Sequence, residues 1–118
     1  MYINHVYVRP GDRGGLWAHL VLDVLRTALR PGRTVAYWRD KSDREVDFVV
    51  TRGGSVDAFE CKLSPHRVEA RNLDAFRTSY PRGQNVVVSP FVTEPYDFRV
   101  GSHVVRAVGC ADLFQLVS

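Results

Sequence analysis

Hydrophobic and polar positions along the chain follow two periods. Over residues 16–30, Trp17, Leu20, Val21, Val24, Leu25 and Ala28 recur at three- and four-residue steps. His19, Asp23, Arg26, Thr27 and Arg30 form the opposite, polar stripe. That spacing predicts an amphipathic helix, stopped by Pro31-Gly32. Residues 34–39 are β-branched and aromatic and predict a strand, followed by the turn cluster Asp40-Lys41-Ser42-Asp43. A second strand is predicted over 45–51, a turn at Arg52-Gly53-Gly54-Ser55, and a third strand over 56–63. Three strands with tight connections make an antiparallel meander.

Ser64-Pro65 then has the form of a helix start, a hydroxyl followed by proline at the first helical position. This second helix is expected to run to about Ser79, with Leu73, Phe76 and Tyr80 on one side and Pro81 ending it. Residues 85–89 are a short continuous apolar run of the buried type. Reaching them through a helix implies a right-handed crossover and parallel pairing. A last strand is expected over 103–108 and a terminal helix over 111–117. The stretch from Phe91 to Phe98, interrupted by Pro95, has the character of a loop or edge segment suited to self-association. The order is α-β-β-β-α-β-(β)-α, an α/β sandwich with a mixed sheet and helices on its faces. The chain has no G-x-G-x-x-G after a strand and no G-x-x-x-x-G-K-[ST] loop, and Gly14-Gly15 and Gly53-Gly54 are expected as turns.

Composition narrows this picture without redirecting it. At 118 residues, 45% hydrophobic and 25% charged, the chain suits one globular domain. We expect residues 1–13 as an arm or leading strand and 14–118 as the domain. No apolar run approaches the ~20 residues that span a bilayer, and residues 1–12 lack the pattern of a signal peptide. The expectation is a cytoplasmic protein without membrane contact. Cys61 and Cys110 are expected to be reduced and packed as small apolar residues. The net charge is +3, which permits contact with phosphate backbones without demanding it. Of the 16 basic residues, only Lys41 and Lys62 are lysines, so each lysine is conspicuous.

Lys62 falls in the one constellation that carries chemistry. Strand alternation places Glu45, Asp47 and Val49 on one face, with Val46, Phe48 and Val50 on a core face. On the next strand Glu60 and Lys62 share a face, opposite Phe59, Cys61 and Leu63. The hairpin therefore brings Asp47 beside Glu60, with an ammonium close by. Neighbouring carboxylates repel unless a cation neutralises them. A hard divalent ion does so with a few oxygens, and the main-chain carbonyl of Cys61 offers one more. Such a site suits metal-assisted phosphodiester hydrolysis, with Lys62 stabilising developing charge. The plainer alternative is a solvated cross-strand cluster in which Asp47 and Glu60 pair with Lys62 and Arg44.

Asp47 followed by Glu60-Cys61-Lys62, in an α-β-β-β-α-β order, resembles the PD-(D/E)XK nuclease superfamily. More narrowly, residues 37–49, Phe59-Glu60-Cys61-Lys62-Leu63-Ser64 and Asn72-Leu73-Asp74-Ala75-Phe76 resemble the nuclease-like C-terminal domain, of unknown function, found in predicted prokaryotic AAA-type ATPases. The likeness covers roughly residues 14–116. It implies a restriction-endonuclease-like fold and a Mg²⁺- or Mn²⁺-dependent deoxyribonuclease. Asp47, Glu60 and the Cys61 carbonyl would be metal ligands, and Lys62 the catalytic lysine. The resemblance expects a further Glu on the first helix, where Ala18 stands, with His19 beside it on the polar stripe. It also expects an ATPase module ahead of the domain, which leaves a free-standing descendant, a remnant of a longer gene, or a domain whose AAA-type ATPase partner acts in trans. The alternative it leaves is a degenerate domain that binds DNA or an ATPase partner without cutting. Arg39, Arg52, His66, Arg67 and Arg71 are candidates to hold DNA phosphates beside the acidic pair, with Arg67 and Arg71 expected one turn apart on the second helix and Arg77 further along it. A homodimer is an allowed arrangement.

Overall fold

The structure is a computed structural model that describes residues 2–5, 13–29 and 33–117. Its elements are β1 (Tyr2–His5), α1 (Arg13–Ala28), β2 (Val35–Arg39), β3 (Glu45–Arg52), β4 (Ser55–Cys61), a 3-10 turn (Pro65–Arg67), α2 (Ala70–Ser79), β5 (Asn85–Val88), β6 (Tyr96–Val100), β7 (His103–Val108) and α3 (Cys110–Val117). The seven strands form one sheet in the order β1-β2-β3-β4-β5-β7-β6. Pairings from β1 to β4 are antiparallel. Beyond α2, β5 joins β4 in parallel and β7 joins β5 in parallel, and β6 closes the edge antiparallel to β7. The expected meander, crossover and mixed sheet are all present. Of the expected 1–13 arm, residues 2–5 pair as a leading strand against β2, and residues 1 and 6–12 lie outside the described residues, as does the Pro31-Gly32 stop.

Both faces of the sheet are covered. On one, Val21, Leu22 and Leu25 of α1 and Leu113 of α3 pack against Val35, Phe48, Val50, Phe59, Val86, Val88 and Val108. On the other, Ala75 and Phe76 of α2 pack against Trp38, Val46, Val49, Val56 and Ala58. Val68 and Leu73 cover Val87, Val105 and Ala107 on that same side. Two-sided burial explains why β3, β4 and β5 carry near-continuous apolar runs.

Four local expectations are corrected. In α1 the buried face includes Leu22, while Leu20 is 56% exposed, because the helix is wedged between the sheet and α3 and buries Val21 and Leu22 together. Gly14 and Gly15 belong to the start of α1 rather than to a turn, where the first N–H groups have no intrahelical acceptor in any case. The helix expected from Ser64 is split: a 3-10 turn ends at Arg67, Val68 is extended at φ −63°, ψ 130°, and α2 starts at Ala70. The break buries Val68 beside Leu73, and it separates Arg67 from Arg71. Finally, β3 does not alternate as expected. Ala36 pairs with Val49 but Trp38 pairs with Val46, so β3 uses three steps where β2 uses two. This bulge turns Val46 onto the α2 face with Val49, leaving Phe48 and Val50 on the α1 face,.

Candidate active site

The bulge in the β2–β3 pairing spans Asp47, one of the three catalytic candidates. The β3–β4 register runs from Arg52↔Ser55 to Phe48↔Phe59 and stops there. One step further, the N–H of Cys61 donates to Asp47 Oδ2 at 2.8 Å. A side chain thus takes over where the main-chain ladder ends, which satisfies a donor that burial would otherwise orphan. The same bond fixes the Asp47 carboxylate against β4.

Glu60 follows Val56 and Ala58 in alternation and so lies on the α2 face, level with Val87 of β5. It is 5% exposed. Its Oε1 has no hydrogen-bond partner. Burial pushes its carboxyl well above the usual range, the charge of Asp47 and a hydrogen bond with it push further, and Lys62 partly offsets this,. Asp47, Glu60 and Lys62 are therefore electrostatic neighbours, as the hairpin geometry requires. Cys61 points to the other face, packed against the α1 cluster, and burial raises its thiol, so it is a poor nucleophile,.

The plainer cross-strand pairing is not what forms. Arg44 is tied to Asp40 by NH2–Oδ2 at 2.6 Å and Nε–Oδ2 at 2.7 Å, not to Asp47. Among the described residues, no ion pair joins Lys62 to a carboxylate. Its N–H donates to the Val88 carbonyl at 3.2 Å, which anchors the backbone and leaves the ammonium available. Asp40 itself is a structural residue. Burial raises its carboxyl, but hydrogen bonds from Arg44 and Ser42 outweigh that and hold it below the usual carboxylate range.

Two carboxylates and a carbonyl are the oxygens that could hold a cation at this place. Among the described residues there is no group of three or more His, Cys, Asp or Glu side chains placed to hold a metal. A hard divalent ion that keeps several waters needs few protein oxygens. The orphaned Oε1 of Glu60 beside Asp47 fits such an ion, since it is a buried acceptor with no donor. Ala18 packs against the apolar α1-face cluster together with Trp17 and Cys61, so the first helix offers a methyl where the resemblance expects a carboxylate. His19 is exposed.

The five residues proposed for phosphate contact do not form one cluster. Arg39 is at the acidic end of the sheet, where its NH2 meets Asp43 at 2.9 Å. Arg71 is tied through NH2 to the Ser42 carbonyl at 3.0 Å. His66 packs edge-on against Phe98 at 5.4 Å, and Arg67 is exposed. Arg52 lies at the other end of the hairpin, five residues from Asp47 and so about 17 Å along the strand. There it pairs with Asp57 at 3.1 Å, which raises its pKa, and the fold does not bring it to the acidic pair. Arg77 is a strut, donating to Asn85 Oδ1 and to the carbonyls of Val56, Tyr80 and Gln84.

Two residues that the sequence reading gave no role of their own support the site. Ser89, fully buried, donates its hydroxyl to the Leu63 carbonyl at 2.7 Å and so pins the segment that follows Lys62. Its signal is a polar residue ending the run Val86-Val87-Val88. Asn72 Oδ1 accepts the N–H of Glu45 at 3.3 Å, which docks α2 on the start of β3. Among the described residues, no helix is long and apolar enough to cross a membrane. A family model described as a domain of unknown function, DUF4143, matches residues 13–110. No match to a curated protein was found.

Proposed function

The chain belongs to the DUF4143 family, a domain of unknown function, and from that premise we propose that it hydrolyses phosphodiester bonds in DNA with a divalent cation, in the manner of the PD-(D/E)XK nucleases it resembles. One observation supports this above the others. The Asp47 carboxylate is locked onto β4 at 2.8 Å from the Cys61 nitrogen, against a buried Glu60 whose Oε1 has no partner. Such a group costs stability unless something uses it.

Asp47, Glu60 and the Cys61 carbonyl would hold Mg²⁺ or Mn²⁺, which supplies Lewis-acid activation at the phosphate. The chain's own contribution is positional. The Cys61 N–H orients Asp47. The β4–β5 pairing holds Glu60, and the Val88 carbonyl anchors Lys62. From there the Lys62 ammonium can donate to a phosphate oxygen as negative charge develops. Arg39, Arg67 and Arg71 lie on segments beside that end of the sheet and suit backbone contact, whereas His66 packs on Phe98 of β6.

The test is cleavage of plasmid and branched DNA with Mg²⁺, Mn²⁺ or EDTA, alongside Asp47→Ala. Cleavage that needs the cation and is lost in the variant is expected. Cleavage that persists in EDTA or in Asp47→Ala removes this site from consideration. A second reading is favoured by Ala18, whose packing among apolar side chains leaves the donor set one carboxylate short. It is a domain that binds DNA or an AAA-type ATPase partner without cutting. Calorimetry that finds no Mn²⁺ binding, together with retained DNA binding, selects that reading.

A further inference from the structure

We infer that β6 is a self-recognition edge, through which two copies of this chain join their sheets in antiparallel pairing centred on Phe98. Among the described residues, β6 is the last strand of the sheet and pairs on one side only, with β7. Its other side presents main-chain donors and acceptors that no described strand takes up, which is a template for another strand.

The sequence of this edge is self-complementary. It reads Tyr96-Asp97-Phe98-Arg99-Val100, with opposite charges flanking Phe98. An antiparallel pair about a two-fold axis through Phe98 sets Asp97 opposite Arg99 of the second copy, and Arg99 opposite its Asp97. Phe98 then faces Phe98, and Tyr96 faces Val100. Opposite charges and apolar pairs directly across an antiparallel ladder are both favourable, and like charges there are not. Centring the axis on Asp97 would oppose two carboxylates, and centring it on Arg99 two guanidinium groups. Phe98 is the centre that matches both charges.

The two faces of the strand agree with this register. Asp97 already meets Arg106 of β7 at 3.3 Å, so a second copy's Arg99 would extend an alternating row Arg106, Asp97, Arg99 across the joint. On the opposite face Phe98 and Val100 pack against the cluster of Val68, Leu73, Val87, Val105 and Ala107, and Tyr96 lies 5.8 Å from Phe98 and is 39% exposed. The apolar row would continue from one copy's core to the other's. Edge strands are commonly protected by charged side chains or by proline, and charges guard against a partner strand that does not match them. Here the charges are of both signs and Pro95 precedes the strand. The inference is independent of the acidic pair, from which β5 and β7 separate this edge.

Sedimentation velocity over a concentration series, with a charge-reversal pair, tests it. Wild-type protein is expected to form a dimer. Arg99→Asp and Asp97→Arg each place like charges across both halves of the joint and should weaken the dimer about tenfold or more. Mixed in equal amounts, the two variants should associate with each other, since each supplies the charges the other lacks. In wild-type protein the amide exchange of residues 96–100 should slow as concentration rises. A wild-type monomer into the high-micromolar range, single variants that dimerise like wild type, a mixture that stays monomeric, or exchange that ignores concentration overturns the proposal.

Discussion

Asp47 Oδ2 accepts the main-chain N–H of Cys61 at 2.8 Å, at the point where the β3–β4 ladder ends. That bond ties β3 to β4 beyond their last paired residues and places a fixed carboxylate against the buried Glu60. The bulge in the β2–β3 pairing lies in the same stretch of β3.

Glu60 makes the metal-free protein less stable than it could be. In the folded chain its carboxyl titrates well above the usual range, first through burial and then through Asp47. The unfolded chain ionises it near the ordinary value, so the folded state binds more protons between the two pKa values and stability falls as pH rises through that window. Glu60→Gln removes the titration and can donate its amide toward Asp47. In EDTA at neutral pH it should raise stability by about 1–3 kcal/mol and flatten the pH dependence, as read by thermal melts across pH. It should also abolish stabilisation by Mn²⁺.

Lys62→Ala separates cation binding from chemistry. If the ammonium acts on the phosphate, cleavage should fall about 10²–10³-fold, while calorimetric Mn²⁺ affinity stays close to wild type. Lys62→Arg should not restore the rate, because a planar fork does not replace a compact ammonium.

Arg77 should matter for folding rather than for DNA. It donates to Asn85 and to three carbonyls, at 2.7–3.0 Å, and burial lowers its pKa. Arg77→Ala should cost about 2–4 kcal/mol by leaving those acceptors unpaired, measured by urea unfolding. Arg77→Lys should recover little, since one ammonium cannot reach four acceptors in the same plane. DNA affinity normalised to folded protein should not change.

Gly83→Ala should be among the most damaging single substitutions. Its φ is +142°, and a Cβ there would lie 2.0 Å from the Val56 carbonyl oxygen. Val56 N–H also bonds to the Arg82 carbonyl at 2.9 Å, so the neighbour cannot retreat without breaking the β4 entry. Loss of more than about 3 kcal/mol, or failure to fold, is expected from circular dichroism and melting.

Much of this protein is settled by sequence alone. Three- and four-residue spacing identifies α1, alternation and turn residues identify the β2–β3–β4 meander, and the helix before 85–88 forces the parallel joint between β4 and β5. The juxtaposition of Asp47, Glu60 and Lys62 follows from the length of one hairpin. What sequence could not decide depends on neighbours. Val46 and Val49 share a face because β3 is paired to β2 with a bulge, and register between strands is not a property of either strand. Arg67 and Arg71 part because burying Val68 beside Leu73 outweighs an unbroken helix. Arg44 chooses Asp40, and Arg52 chooses Asp57 at the far end of the hairpin, because turn geometry fixes which carboxylate each can reach. Above all, the pattern Glu-x-Lys is compatible with a solvated face or a buried one. The packing of α2 over that side of the sheet withdraws Glu60 from water, and a shielded carboxyl beside a second one has a chemistry that an exposed pair lacks.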